Sequence, residues 1–140
     1  AWYRLQRYAW YRYSAIVKMD VSIWNINSFG EYYMQIFGKY SNDYQNACMK
    51  FISERERFQK EMSKINGIRV IPSQANFFMI EVCAKYTSEQ LAEILLKNYN
   101  IFIKSCNTKH GLENKNYIRI AVRNTSENNI LLNALKDILN

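Results

Sequence analysis

The sequence predicts an α+β sandwich: a four-stranded, mainly antiparallel sheet with helices covering one face. Three observations carry that reading. First, Tyr117-Ile118-Arg119-Ile120-Ala121-Val122-Arg123 alternates strictly, with Ile118, Ile120 and Val122 on one side and Tyr117, Arg119, Ala121 and Arg123 on the other. Successive strand side chains face opposite sides of a sheet, so one side is ready for a core and the other is left for something else. Second, Tyr44, Ala47, Cys48, Phe51, Ile52, Phe58, Met62 and Ile65 recur at helical spacing, with Glu54, Arg55, Glu56, Arg57 and Lys60 between them, the pattern of a long surface helix. Third, the order after residue 43 is helix, two strands, helix, two strands, helix.

The elements follow in turn. Residues 11–19 carry a short helical pattern. Ser28, with Glu31 three places on, fits a capping box for a helix to about Tyr40. Asp43 can cap the long helix, which runs to about Asn66, and Gly67 suits the left-handed position that ends a helix. Ile68–Ile71 reads as a strand closed by Pro72, the only proline. Ser73-Gln74-Ala75 turns the chain into a second strand, Asn76–Val82, close enough to pair antiparallel. Thr87 and Gln90 open a helix to about Asn98. Ile101–Cys106 is a third strand, and the alternating stretch is the fourth. Thr125 or Ser126 caps the last helix, with Ile130, Leu131, Ala134, Leu135 and Ile138 on its apolar side.

At 140 residues, 49% hydrophobic and 22% charged, the chain has a single-domain length and a globular composition. Its net charge of +7 favours anionic partners without naming one. The opening is unlike the rest: Arg4, Arg7, Arg12 and Lys18 precede the first acid, Asp20, and all three tryptophans fall at or before Trp24. This lead-in lacks the continuous apolar core of a signal peptide and reads as the cut end of a larger chain. No run is long enough to span a membrane. Cys48, Cys83 and Cys106 are odd in number and fit neither a zinc site nor a redox pair, which suggests reduced thiols in the cytoplasm. With His110 the only histidine and four glycines in all, histidine triads, multi-histidine metal sites and a Gly-rich phosphate loop are excluded within this chain.

If the isoleucine faces of the third and fourth strands pack on helices, Lys104 and Arg119 share the remaining face with Phe102 and Tyr117. Such a basic, aromatic surface suits a carboxylated or phosphorylated small molecule, or a nucleic-acid backbone. The alternative is an ordinary solvated face with long cations lying over aromatics.

From about Trp24 to Asn140 the chain resembles the C-terminal small domain of fold type I aminotransferases that use pyridoxal phosphate, close to the histidinol-phosphate aminotransferase and threonine-phosphate decarboxylase branch. The resemblance rests on Trp24-Asn25-Ile26-Asn27-Ser28, on Arg55-Glu56-Arg57-Phe58 followed by Gly67-Ile68-Arg69-Val70, and on Pro72-Ser73-Gln74-Ala75-Asn76-Phe77. Tyr117-Ile118-Arg119-Ile120 with Glu127-Asn128 completes it. It implies residues 24–43 as a connecting segment and helix, 44–140 as the small α+β domain, and 1–23 as an atypical remnant of the large domain.

The same resemblance implies that Arg119 pairs with the substrate α-carboxylate. Lys104 falls where relatives often carry a basic residue facing the substrate, and Asn76 falls in the family's Ser-x-Ala-Asn-Phe motif. The family's chemistry needs a Schiff-base lysine and an acid on the pyridine nitrogen; both belong to the large domain, and neither motif occurs here. Arg4-Leu5-Gln6-Arg7-Tyr8 echoes the element that follows that lysine, without its glycine, which would make Arg4 a ligand of the cofactor phosphate. The implied protein is the C-terminal portion of a cytoplasmic, homodimeric enzyme acting on an amino-acid or amino-phosphate substrate, with pyridoxal phosphate held by the intact parent and not by this portion. The element order also suits a ferredoxin-like nucleic-acid-binding or regulatory module, although no strand carries the Gly-and-aromatic signature of an RNA-recognition sheet.

Overall fold

The computed structural model describes residues 27–113 and 115–139; the helical pattern at 11–19, the lead-in and Arg4 lie outside them. The chain groups into two units, one ending at Tyr44 and the other spanning Gln45–Asn140.

In the first unit, helix α1 (Ser28–Phe37) is capped by Asn27, whose side chain accepts the Gly30 N–H at 2.8 Å. The cap is thus one residue earlier than Ser28, because an Asn amide oxygen serves that position as well as a hydroxyl does. A 3-10 turn, Gly38–Tyr40, leads directly into helix α2 (Ser41–Met62), so Asp43 is an acid of its first turn and not its cap. The ring of Phe37 lies 5.6 Å from Tyr33 and 5.3 Å from Tyr44.

The second unit holds the sheet. Strands β1 (Ile68–Ile71), β2 (Phe77–Val82), β3 (Lys104–Ser105) and β4 (Tyr117–Ala121) lie in the order β1-β2-β4-β3, every neighbouring pair antiparallel. Helix α3 (Ser88–Tyr99) connects β2 to the far edge, and α4 (Thr125–Leu139) closes the chain. Thr87 caps α3 in a capping box with Gln90, as its sequence indicates. Phe78, Ile80, Ile118 and Ile120 are buried on one face with Phe58 and Met62 of α2, Leu91 and Leu95 of α3, and Leu131 and Leu135 of α4. Each such side chain stabilises the fold by roughly 1.5–3 kcal/mol on burial. Phe58 and Phe78 meet edge to face at 6.2 Å, the arrangement that ring quadrupoles favour.

Several elements have bounds other than those their sequence patterns suggest, each for a local reason. Helix α2 stops at Met62 because Lys64 and Ile65 donate to carbonyls three residues back, tightening the last turn before Asn66. Strand β3 is only two residues long. Asn100 takes a left-handed conformation (φ 56°) and the Ile101 N–H is held by the Leu95 carbonyl at 3.0 Å, which keeps the chain on the helix end until Lys104. Strand β4 ends at Ala121, and Arg123 leaves the sheet: Asn128 accepts the Arg123 N–H and donates to its carbonyl, both at 2.9 Å. The cap of α4 is Asn124, whose side-chain oxygen accepts the Glu127 N–H at 2.9 Å; Thr125 instead donates to Glu54 at 2.7 Å.

That last bond belongs to a hub that ties the long helix to the corner after β4. Glu54 accepts from Arg57 Nε at 2.9 Å and Nη2 at 2.7 Å, from Thr125 Oγ1, and from Asn128 Nδ2 at 2.7 Å. Asn128 is itself buried. The Arg57 guanidinium hydrogen-bonded to Glu54, helped by Asn128 and Thr125, holds its carboxyl down to about 2 although partial burial acts the other way. A depressed carboxylate contributes stability that is present above its unfolded value and lost as pH falls through the folded one.

Two tests follow from these contacts. In urea unfolding, Glu54→Gln should lower stability at pH 7 by about 1–3 kcal/mol, the scale of a broken part-buried hydrogen-bond network. The variant should also lose part of the parent's decline in stability between pH 4.5 and about 2; parallel curves for the two proteins would contradict the hub. Gly67 sits at φ +80°, and a Cβ there would lie 2.9 Å from the Ala84 Cβ. Gly67→Ala should therefore destabilise by at least about 1–2 kcal/mol, the ordinary penalty of a left-handed residue with a side chain, read from the urea midpoint.

Candidate functional site

The helices cover one face of the sheet, and the strand register sets out the other in rows. Ile71 of β1, Met79 of β2, Arg119 of β4 and Lys104 of β3 stand side by side. On one flank of this row lie Arg69, Glu81 and Tyr117; on the other lie Phe77 and Ala121. Lys104 and Arg119, expected on one face from their alternation, are thus directly opposite each other, and both are exposed.

Arg119 makes no ion pair among the described residues. Its guanidinium carbon stands over the Phe77 ring, 5.4 Å from the centroid. The one acid among the strand residues of this face, Glu81, is taken by Arg69, whose Nε and Nη2 lie 2.7 and 2.5 Å from Oε2. Hydrogen bonding to Glu81 raises the Arg69 pKa further above its already high ordinary value. With that pair neutral, the middle of the face carries two unneutralised cations side by side. Like charges directly opposite on paired strands destabilise them, whereas an anion between the two would turn both into favourable partners.

Lys104 is held in place from below. Its neighbour Ser105 faces the helices, where its hydroxyl and that of the buried Ser88 lie 2.9 Å apart, one donating to the other, and the hydroxyl that accepts donates in turn to Glu89. Hydrogen bonds from its own backbone and from Asn107, together with the Ser88 hydroxyl, lower the Glu89 pKa. The start of α3 thereby fixes the short β3 strand opposite Arg119.

The other candidates that the sequence suggests sit elsewhere on the domain. Arg123 is past the strand and bound to Glu127 through two 3.0 Å contacts. Phe102 precedes β3 and lines a groove of about 490 Å³ with Ile130 and Arg123, which reaches the sheet at Ala121. Asn76 is exposed, and its carbonyl accepts the Val122 N–H at 2.9 Å. Its position in the pleat matches Phe78, so the register sets Phe77, not Asn76, on the side of Arg119. Phe77 is the residue that sequence reasoning missed. The signal was present, because a strand position of the same parity as Met79 must share its face. Arg55 Nη1 donates to the Gln74 carbonyl at 2.5 Å, so the long helix also steadies the turn that delivers Phe77.

Among the described residues no helix is long and apolar enough to cross a membrane, and no cluster of His, Cys, Asp and Glu is placed to hold a metal ion. Comparison with known proteins bears on the family and the fold. Residues 34–135 match the family model for aminotransferase class I and II. The chain is 35% identical over 119 residues to the L-serine phosphate decarboxylase of Sulfurospirillum multivorans, covering 84% of this chain and 30% of that protein. It is 39% identical over 88 residues to the histidinol-phosphate aminotransferase of Caldanaerobacter subterraneus, covering 63% of this chain and 23% of that one. The structure of the histidinol-phosphate aminotransferase from Clostridium acetobutylicum superposes with a TM-score of 0.75 at 32% identity, over 89% of this chain and 36% of the other. The chain therefore spans about a third or less of the length of these relatives. Matched in sequence across most of its length and in fold to solved members, it belongs to the class I and II aminotransferases, a family that depends on pyridoxal phosphate.

Proposed function

We propose that this chain supplies the substrate-carboxylate half of a pyridoxal-phosphate-dependent enzyme acting on an amino acid or amino-acid phosphate. The observation that carries the reading is Arg119 itself: exposed, without an acidic partner among the described residues, and facing Lys104 across the strand pair. Arg119 binds the α-carboxylate through two parallel N–H···O bonds, a geometry that suits guanidinium far better than ammonium. Lys104 adds a second positive charge on the same anion or on a neighbouring phosphate. Asn76, just before β2, acts through its backbone, whose carbonyl holds the Val122 N–H beyond the end of β4.

In this family pyridoxal phosphate supplies an electron sink for the substrate α-carbon. Among the described residues every lysine is exposed, and the two glycines at positive φ, Gly67 and Gly111, belong to separate turns. The Schiff-base lysine and the cofactor pocket are assigned to a large domain in other polypeptide, and the intact enzyme to a cytoplasmic homodimer. The work of this chain is orientation. Fixing the α-carboxylate fixes which bond of the α-carbon is presented to the reactive group, and alignment of that kind supplies a large part of a catalysed rate. Closing the sheet face over the substrate excludes water.

The test is Arg119→Lys in the enzyme that carries this chain with its cofactor domain. It should raise the KM for the amino acid about 10- to 100-fold, on the order of 1.4–2.8 kcal/mol, while the Kd for pyridoxal phosphate, read by absorbance, stays within twofold. An unchanged KM and kcat would refute the assignment.

A further inference from the structure

Arg119 has two diagonal neighbours on β2. Phe77 pairs with Ala121, two residues ahead of it, and Glu81 pairs with Tyr117, two residues behind. Diagonal neighbours on one face of an antiparallel pair are within reach of a long side chain. A flexible arginine standing between an aromatic ring and a carboxylate ordinarily turns to the carboxylate. Here it lies over the ring, and the carboxylate is occupied from the opposite strand by Arg69.

We propose that Arg69 and Phe77 are positioning residues for Arg119: Arg69 occupies Glu81 so that this carboxylate does not compete with the ligand, and Phe77 holds the guanidinium on the far side of the row. The arrangement solves a problem that any open anion site faces. An arginine left alone on a face with an acid within reach pairs with it and is lost to the ligand. Deleting the acid would also serve, but Glu81 pairs with Arg69 across the edge strand β1 and so helps to hold that strand in register. Supplying the acid with its own cation keeps both functions. The Phe77 ring attracts the cation without hydrogen bonding to it, so the N–H groups remain available to a carboxylate. Ala121, directly opposite Phe77, is small enough to leave the ring space beside Arg119.

This inference rests on Arg119 as the carboxylate ligand, and its first test does not. In side-chain ¹H–¹⁵N spectra of the 140-residue chain without any ligand, Arg69→Met should move the Arg119 Nε–H signal and slow its exchange with water as Glu81 turns to it. The double variant Arg69→Met/Glu81→Gln should return the signal to its parent position. In the enzyme that carries the chain, Arg69→Met should raise the amino-acid KM about two- to fivefold at unchanged kcat, the fold-change matching an exposed ion pair, and Glu81→Gln should reverse it. Phe77→Leu should raise KM by a similar factor, and Phe77→Tyr should not, with urea midpoints recorded for every variant. A merely structural pair would shift the midpoints and leave the KM rescue absent. An Arg119 signal unmoved by Arg69→Met, or a raised KM that Glu81→Gln fails to restore, overturns the proposal. If Arg119→Lys is silent while the spectra respond as described, the carboxylate assignment fails and the competition between Glu81 and Arg119 stands.

Discussion

The antiparallel register between β2 and β4 is the constraint on which the rest of the domain depends. Ile80 stands opposite Ile118 and Phe78 opposite Ile120, which puts four fully or almost fully buried side chains on one face. A slip of β4 by one residue against β2 would turn Ile118 and Ile120 to solvent and bury Arg119. The hydrophobic effect that stabilises the core therefore also fixes the chemistry of the opposite face. The positions of Arg119, Lys104, Phe77 and Glu81 are consequences of where the isoleucines must go.

The polar hubs then fix what the pleat leaves loose. At the end of β4, Asn128 and Glu54 stop the strand at Ala121 and draw Arg123 away to Glu127. At β3, the serine pair beneath the sheet fastens a two-residue strand that could not hold its register by pairing alone. Both hubs lie on the helix side or at the corner, so their hydrogen bonds do not compete for the open face. On the open face the one tie of this kind is the ion pair of Arg69 with Glu81, at the β1 edge.

Much of this was legible in the sequence because alternation and helical spacing are strong signals. Strand β1, the sense of the sheet, the Thr87 capping box and the sharing of one face by Lys104 and Arg119 all follow from pattern alone. What was illegible came from competition between near-equivalent local groups. Asn27 against Ser28, and Asn124 against Thr125, are choices among good caps; in the second a tertiary partner decides, since Thr125 is drawn off by Glu54, seventy-one residues away. The shortness of β3 depends on a left-handed Asn100, a conformation that Asn tolerates but does not announce. Arg123 looked equivalent to Arg119 because alternation says nothing of where a strand ends.

The family match sharpens the meaning of the open face without replacing the physical argument for it. Two cations opposite each other on an antiparallel pair are unfavourable in the isolated chain, and a fold with no use for them could place one acid in the row at no structural expense. The row instead reads Ile71, Met79, Arg119, Lys104, and the acid on the neighbouring row is neutralised by Arg69. Repulsion left standing at the centre of a face, beside an attraction satisfied at its edge, is the arrangement that the proposed anion site requires. A solvated face built for stability alone would mix its signs, and the pairing of Arg69 with Glu81 shows that this sheet can do so where nothing needs to bind.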